Sequence, residues 1–116
     1  MVESLLAAGA RVNDVDREGN TALMLASQNA RSESVKLLLD AGANVHVKNK
    51  YSWDALIYAA NSNGHYAEEN LKEIVTALIA WGTDVNARDY EGKSVLTYAV
   101  GSAAITTMLI AIGAIE

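Results

Sequence analysis

Few residues of this chain have the types and spacing that enzyme chemistry requires. The two histidines, His46 and His65, lie far apart in the sequence, and His46 occupies a position where related phrases carry asparagine, which favours a turn role over a general base. Glu68 and Glu69 are adjacent, so on a helix their carboxylates would diverge instead of forming a catalytic pair. The sequence therefore predicts no catalytic residue and no enzymatic activity.

Metal and cofactor sites find equally little support. The segment "NDVD" at 13–16 lacks the ligand number and spacing of a calcium loop. There is no cysteine, no glycine-rich phosphate loop and no paired histidine for zinc. We expect neither a metal ion nor a cofactor.

Composition and charge narrow the class of protein further. The 116 residues are 51% hydrophobic and 20% charged, which is typical of a globular domain or a short repeat array. A net charge of -5, without a basic cluster, argues against nucleic-acid binding. The chain has neither a signal-peptide pattern at its start nor an apolar run of the roughly 20 residues that span a membrane. We therefore expect a cytoplasmic protein that binds neither nucleic acid nor membrane.

The main signal in the sequence is an internal repeat. The phrases "AAGARVN", "DAGANVH", "AWGTDVN" and "AIGAIE" share a glycine at the third position. These glycines are separated by 33 positions from Gly9 to Gly42, by 40 from Gly42 to Gly82 and by 31 from Gly82 to Gly113. A second phrase recurs as "REGNTALMLAS", "KYSWDALIYAA" and "YEGKSVLTYAV". The spacing predicts a single repeat domain over 1–116, divided into a partial repeat 1–15, a repeat 16–48, a repeat 49–88 with a seven-residue insertion and a shortened repeat 89–116.

Period and motif together resemble the ankyrin-repeat family over essentially the whole chain. The residues that carry the resemblance in the second unit are Asp16, Gly19, Thr21, Leu23, Ala26, Leu37, Leu38, Gly42, Ala43 and Val45. The family's Thr-Pro-Leu-His motif reads "TALM", "DALI" and "SVLT" here, without any proline. The resemblance implies an all-α solenoid of stacked helix-turn-helix repeats joined by hairpin-like loops.

Local signals place the helices within one repeat. Thr21, Asp54 and Ser94 are suited to cap the first helices, and Ser32 is suited to cap a second helix that runs to Asp40. Gly42 suits the left-handed position that ends such a helix. One helix pair cannot bury its own apolar faces, so neighbouring repeats must stack.

The resemblance also implies a protein-protein interaction module that binds a partner protein of unknown identity through its concave surface of fingertips and first helices. An alternative is a regulatory or targeting fragment of a larger multidomain chain, either with or without an enzyme domain. For Trp53 two interpretations stay open, since it could contact the partner or fold down over its neighbours. Matched position by position, the partner-binding residues are Arg17, Glu18, Asn20, Gln28, Asn29, Lys50, Tyr51, Trp53, Asn61, Ser62, Tyr90, Glu91 and Lys93.

Two further features distinguish this chain. The insertion brings His65, Tyr66, Glu68 and Glu69 into a longer loop or an added helical turn, which is either a specificity loop or a tolerated insertion without function. The second helix of the last repeat is apolar on all sides, although a terminal repeat needs a polar outer face. This pattern indicates either a fragment of a longer array or a C-terminal repeat that packs against a partner or, by self-association, against a second copy of the chain.

Overall fold

The computed structural model describes residues 12–62, 68–99 and 102–114. In that part of the chain the secondary structure consists of short helices and turns, and the only ladder pairing is an isolated antiparallel bridge between Arg88 and Ser94. The helices are α1 (Ala22–Gln28), α2 (Ser32–Asp40), α3 (Ala55–Asn61), α4 (Glu68–Ala80), α5 (Val95–Ala99) and α6 (Ala103–Ala111).

The helices form two layers that run along the array. In the first layer α1 packs on α3 and α3 on α5, and in the second layer α2 packs on α4 and α4 on α6. Each first helix also packs on the second helix of its own pair. The chain is therefore an all-α solenoid of stacked helix pairs, as the resemblance implied.

Small residues let the first helices lie close together in the core. Ala26 is 6% exposed, and Ala59 and Ala99, at the matching positions of the next two repeats, are fully buried. Leu56 and Ile57 of the central α3 are also fully buried, since α3 has a neighbouring first helix on either side. Burial of these apolar side chains between repeats is what stabilises the stack.

Side-chain caps begin the helices at most of the expected positions. The Thr21 hydroxyl accepts a hydrogen bond from the Met24 amide at 3.3 Å, and the Asp54 carboxylate accepts one from the Ile57 amide at 2.9 Å. The Ser94 hydroxyl accepts one from the Thr97 amide at 3.4 Å. These contacts confirm the three caps.

The cap predicted at Ser32 is wrong. Ser32 is itself the first residue of α2, and Arg31 precedes the helix without a side-chain cap. Arg31 occupies the capping position, and its guanidinium has only donors, so it cannot accept a hydrogen bond from the first turn of α2.

Part of the insertion lengthens the second helix of the middle repeat. Helix α4 has 13 residues, whereas α2 and α6 have nine each. Its first residue, Glu68, accepts a hydrogen bond from the Ser102 hydroxyl at 2.7 Å and so joins the middle repeat to the last one. His65 and Tyr66 lie outside the described residues.

Candidate partner-binding surface

Three tight turns of the same design form the fingertips between repeats. In each turn, one side-chain oxygen accepts hydrogen bonds of 2.9–3.0 Å from the backbone amides two and four residues later, and the fourth residue has a positive φ. Such turns hold the backbone without regular secondary structure. They run from Asp16 to Asn20, from Asn49 to Trp53 and from Asp89 to Lys93.

Main-chain hydrogen bonds join each fingertip to the next. The Lys50 amide donates to the Glu18 carbonyl at 3.0 Å, and the Tyr90 amide donates to the Tyr51 carbonyl at 3.1 Å. The first two turns approach so closely that a Cβ added at Gly19 would lie 3.1 Å from the Asn49 Cα atom. The fingertips therefore form a continuous, rigid edge, and little conformational entropy is lost when a partner binds it.

Most of the predicted partner-binding residues lie on the protein surface. We call the exposed residues of this edge and of the adjoining first helices the fingertip surface. Two large aromatic side chains stand on it, Tyr51 at 38% and Tyr90 at 66% exposed, with ring centroids 6.1 Å apart. The fingertip surface comprises Arg17, Glu18, Gln28, Asn29, Lys50, Tyr51, Asn61, Tyr90, Glu91 and Lys93.

Two of the predicted contact residues are buried, and their assignment is corrected. The Asn20 side-chain oxygen accepts hydrogen bonds from the Asn49 amide group at 2.9 Å and from the Tyr58 hydroxyl at 2.8 Å. The Ser62 hydroxyl lies 2.7 Å from the Gln28 carbonyl oxygen. Both side chains hold neighbouring repeats together, so neither is available to a partner.

Trp53 folds down over its neighbours, the second of the two interpretations that its position allowed. It is half-buried, with Tyr58 and Tyr98 in edge contact at centroid distances of 5.0 Å each, and its indole nitrogen donates to an Asp89 carboxylate oxygen at 3.3 Å. The same indole also lines a surface cavity of about 330 Å³, whose other walls are Tyr51, Tyr58, Tyr90 and Glu91.

Hydrogen bonds change the pKa values of Asp89, the acid that shapes the third fingertip, and of its partner Tyr98. Burial alone would raise the pKa of Asp89, but hydrogen bonds from the Tyr98 hydroxyl, the backbone and Trp53 outweigh it and lower that pKa. Burial, followed by the hydrogen bond to Asp89 and that residue's charge, raises the pKa of Tyr98. The carboxylate is therefore ionised and Tyr98 is neutral at physiological pH.

The predicted partner-binding residues do not include Tyr58, which lines the cavity, or Tyr98, which packs on the indole of Trp53. The signal was present in the repeat alignment, since both tyrosines occupy the position of Leu25 in the first complete copy. The Tyr58 hydroxyl bonds to Asn49 and Asn20, and the Tyr98 hydroxyl bonds to Asp89, so each reaches the polar residue that opens a finger. That pairing indicates a network beneath the fingertips.

The second helices carry a shallower groove with a different character. It measures about 450 Å³ and is lined by charged ends and small side chains of α2 and α4. Lys36 pairs with Glu73 at 3.3 Å, and Lys72 with Glu69 at 3.7 Å, all four being exposed or half-exposed. Exposed pairs of this kind contribute little energy, so the groove offers fewer anchors than the fingertips.

Two searches of the described ranges bear on metal and membrane binding. Within residues 12–62, 68–99 and 102–114, no three His, Cys, Asp or Glu side chains come together in a way that could hold a metal ion. No helix in these ranges has the length and apolar character needed to cross a bilayer.

The last described helix leaves apolar side chains in solvent. Ile105 and Leu109 are fully buried, whereas Ile110 is 56% and Ile112 is 46% exposed. The apolar character expected for the final repeat thus includes its outer side.

Comparison with known proteins places these features in a family. Residues 1–89 match the family model described as ankyrin repeats in three copies. The chain is 38% identical over 101 residues to a glycerophosphocholine phosphodiesterase, gde1, of Schizosaccharomyces pombe, covering 86% of this chain and 8% of that protein. It is 33% identical over 116 residues to "Ankyrin repeat, SAM and basic leucine zipper domain-containing protein 1" of Dasypus novemcinctus, covering 98% of this chain and 24% of that protein. The chain spans less than two thirds of the length of either relative.

Proposed function

Since the chain belongs to the ankyrin-repeat family, whose repeats are generally protein-interaction modules, we propose that it binds a partner protein through the fingertip surface. The observation that carries this proposal is the pair Tyr51 and Tyr90, two exposed aromatic side chains on a rigid, hydrogen-bonded edge. Exposed tyrosines on a preorganised backbone are frequent anchors of binding energy. The module needs no cofactor and no catalytic residue for this role.

Charge favours a partner with basic character. The support is the formal net charge of -5 of the whole chain, because the fingertip surface itself has both signs, with Arg17, Lys50 and Lys93 exposed beside Glu18 and Glu91. Complementary charge speeds association and selects between partners more than it adds affinity. We therefore expect binding to slow as ionic strength rises.

A second candidate function is that of a regulatory or targeting segment within a longer protein. The support is that the chain spans 8% and 24% of the two relatives named above, which carry additional sequence. In this role the fingertip surface would bind another part of the same protein or a separate target. Self-association through the exposed isoleucines of the final repeat is a further proposal, supported by Ile110 and Ile112.

Affinity capture with matched variants tests the main proposal. The double variant Tyr51→Ser/Tyr90→Ser removes both anchors from exposed positions, and Trp81→Ser removes an aromatic side chain that is 50% exposed and lies off the fingertips. We expect proteins retained by the wild type and by Trp81→Ser to be lost by the double variant. Retention of every such protein by the double variant would refute the fingertip surface as the binding site.

A further inference from the structure

The cavity at the fingertips has walls built almost entirely of aromatic rings. Tyr51, Trp53 and Tyr58 come from the middle repeat, and Tyr90 and Glu91 come from the next finger, so the cavity of about 330 Å³ straddles two repeats. Its volume lies at the lower end of the range for small-ligand sites. Aromatic faces around one space are suited to attract a cation, because the face of each ring carries negative electrostatic potential.

The deeper rings are held in place before any ligand binds. Trp53 lies between Tyr58 and Tyr98, with ring centroids 5.0 Å apart in each case. The Tyr58 hydroxyl donates to the Asn20 side-chain oxygen at 2.8 Å, and the Tyr98 hydroxyl donates to Asp89. A rigid wall does not need to be ordered by the ligand, which lowers the cost of binding.

Acidic residues around the cavity favour a positive ligand. Glu91 forms part of the wall, and Asp89 lies behind the indole of Trp53. Burial raises the pKa of Tyr58, the hydrogen bond with Asn49 partly offsets this, and the negative charges of Glu18 and Asp16 raise it further.

Two lysines of the chain already make contacts that an incoming cation would replace. The Lys50 ammonium lies 5.1 Å from the centroid of the Tyr51 ring, and the Lys93 ammonium lies 3.7 Å from a Glu91 carboxylate oxygen. Lys50 is exposed, and about half of the Lys93 side chain is exposed. Contacts in solvent of this kind are weak and can be exchanged.

The hydrogen-bonding capacity of the walls selects the type of cation. A free lysine ammonium has three N–H donors and a guanidinium has five, and each donor needs an acceptor when it leaves water. Here the Tyr58 hydroxyl is already bonded to Asn20 and Asn49, and Glu91 already pairs with Lys93. The other acceptors on the lining side chains are the hydroxyls of the exposed Tyr51 and Tyr90, and the aromatic rings that make up the rest of the wall offer N–H groups no strong acceptor. A cation with few or no N–H groups fits this wall better than an unmodified one.

We propose that this cavity binds an alkylated ammonium group, namely the methylated side chain of a lysine in the partner protein. The proposal rests on the proposed function, since the lysine belongs to the protein that the fingertip surface recognises. Rings of Trp53, Tyr58 and Tyr90 contact the methyl groups, and Glu91 balances the charge or accepts the one N–H that a dimethylated lysine retains.

Defined small probes test the ligand class directly. The probes are N-acetyl-lysine-N-methylamide with zero, one, two or three methyl groups on the side-chain nitrogen, together with choline and its neutral isostere 3,3-dimethylbutan-1-ol. Binding is followed through Trp53 fluorescence in a Trp81→Phe background, which leaves one tryptophan in the chain. We expect affinity to rise with methylation and the neutral isostere to bind at least about tenfold more weakly than choline. Equal binding of the isostere would overturn the proposal.

Variants place the site and separate the two proposals. Tyr90→Leu keeps apolar bulk at an exposed position but removes one ring, so we expect binding of the trimethylated probe to weaken about two- to thirtyfold. Glu91→Gln should weaken binding of the dimethylated probe more than binding of the trimethylated probe, which has no N–H for Glu91 to accept. An unchanged affinity of Tyr90→Leu for the trimethylated probe would refute the site. Tighter binding of choline than of the trimethylated probe would overturn a partner-borne lysine in favour of a free cation. If no probe binds while the double tyrosine variant still loses its partners, this inference fails and the proposed function stands.

Discussion

Removing the side chain of Asn49 should destabilise the array far more than its place in a surface turn suggests. The residue is 6% exposed, and its amide makes hydrogen bonds in four directions. The oxygen accepts from the Tyr51 and Trp53 amides at 2.9 and 3.0 Å, while the nitrogen donates to Asn20 and Tyr58 at 2.9 Å each. One side chain therefore shapes its own finger and joins it to the previous repeat.

The structure supports an estimate of the cost of Asn49→Ala. A typical hydrogen bond contributes about 1 kcal/mol net, which would suggest a loss of about 4 kcal/mol. The loss is smaller because the Tyr58 hydroxyl and the Asn20 oxygen keep their own bond of 2.8 Å and because water can reach the backbone of the exposed Tyr51. We expect about 3 kcal/mol, a large part of the stability of about 6–17 kcal/mol expected for a chain of this length.

Urea denaturation measures this effect, with Asn61→Ala as the matched control. Asn61 is also an asparagine of the middle repeat, but it is exposed, so its removal should change the unfolding free energy by less than about 0.5 kcal/mol. A loss below about 1 kcal/mol for Asn49→Ala, with an unchanged denaturant slope, would refute the assigned network.

Three further substitutions test other parts of the structure. Ser52 has a φ of 60° where the other fingers have glycine, so Ser52→Gly should raise the midpoint of urea unfolding by relieving about 0.5–1 kcal/mol of strain. Burial raises the pKa of Asp54 above its ordinary value of 3.8, so the ionised carboxylate costs stability in the folded protein at pH 7. Asp54→Asn should therefore have a higher unfolding free energy than the wild type at pH 7 and should lose that advantage below pH 3.8, where the carboxyl is protonated in both states. Ser102→Ala removes the cap of α6 and the bond to Glu68, and should lower the melting temperature with a loss of about 1–2 kcal/mol, whereas Ser102→Thr should recover most of it. Unchanged stability would contradict the backbone strain at Ser52, the cost of the buried charge at Asp54 or the two hydrogen bonds of Ser102, respectively.

Local signals in the sequence were sufficient for the repeat and for most helix limits. Thr21 and Asp54 are followed by helix-forming residues, and the contact that each makes lies three positions along the chain, so sequence alone predicts it. The ends of α1 at Gln28 and α2 at Asp40 follow from the same local pattern. The proposed repeat boundaries at 16, 49 and 89 stay a prediction.

Burial of polar residues depends on contacts between repeats, which local patterns do not contain. The polar turn around Asn20 predicts a contact with the partner, yet the residue is covered by Asn49 and Tyr58 from the next repeat. The position of Ser62 at the end of a first helix predicts the same role, but its hydroxyl bonds to the carbonyl of Gln28 in the previous repeat. Disagreement between aligned copies thus marks residues that join repeats as well as residues that are free to bind.

Amide hydrogen exchange of the chain with a partner identified by the capture experiment tests the central claim, recognition by the fingertips, most directly. We expect binding to increase protection in segments 17–20, 50–53 and 90–93, because these backbone amides lie on the edge that the partner covers. The second helices α2 and α4 should exchange as they do in the free protein. Protection confined to α2 and α4, with the three fingertip segments unchanged, would contradict the claim.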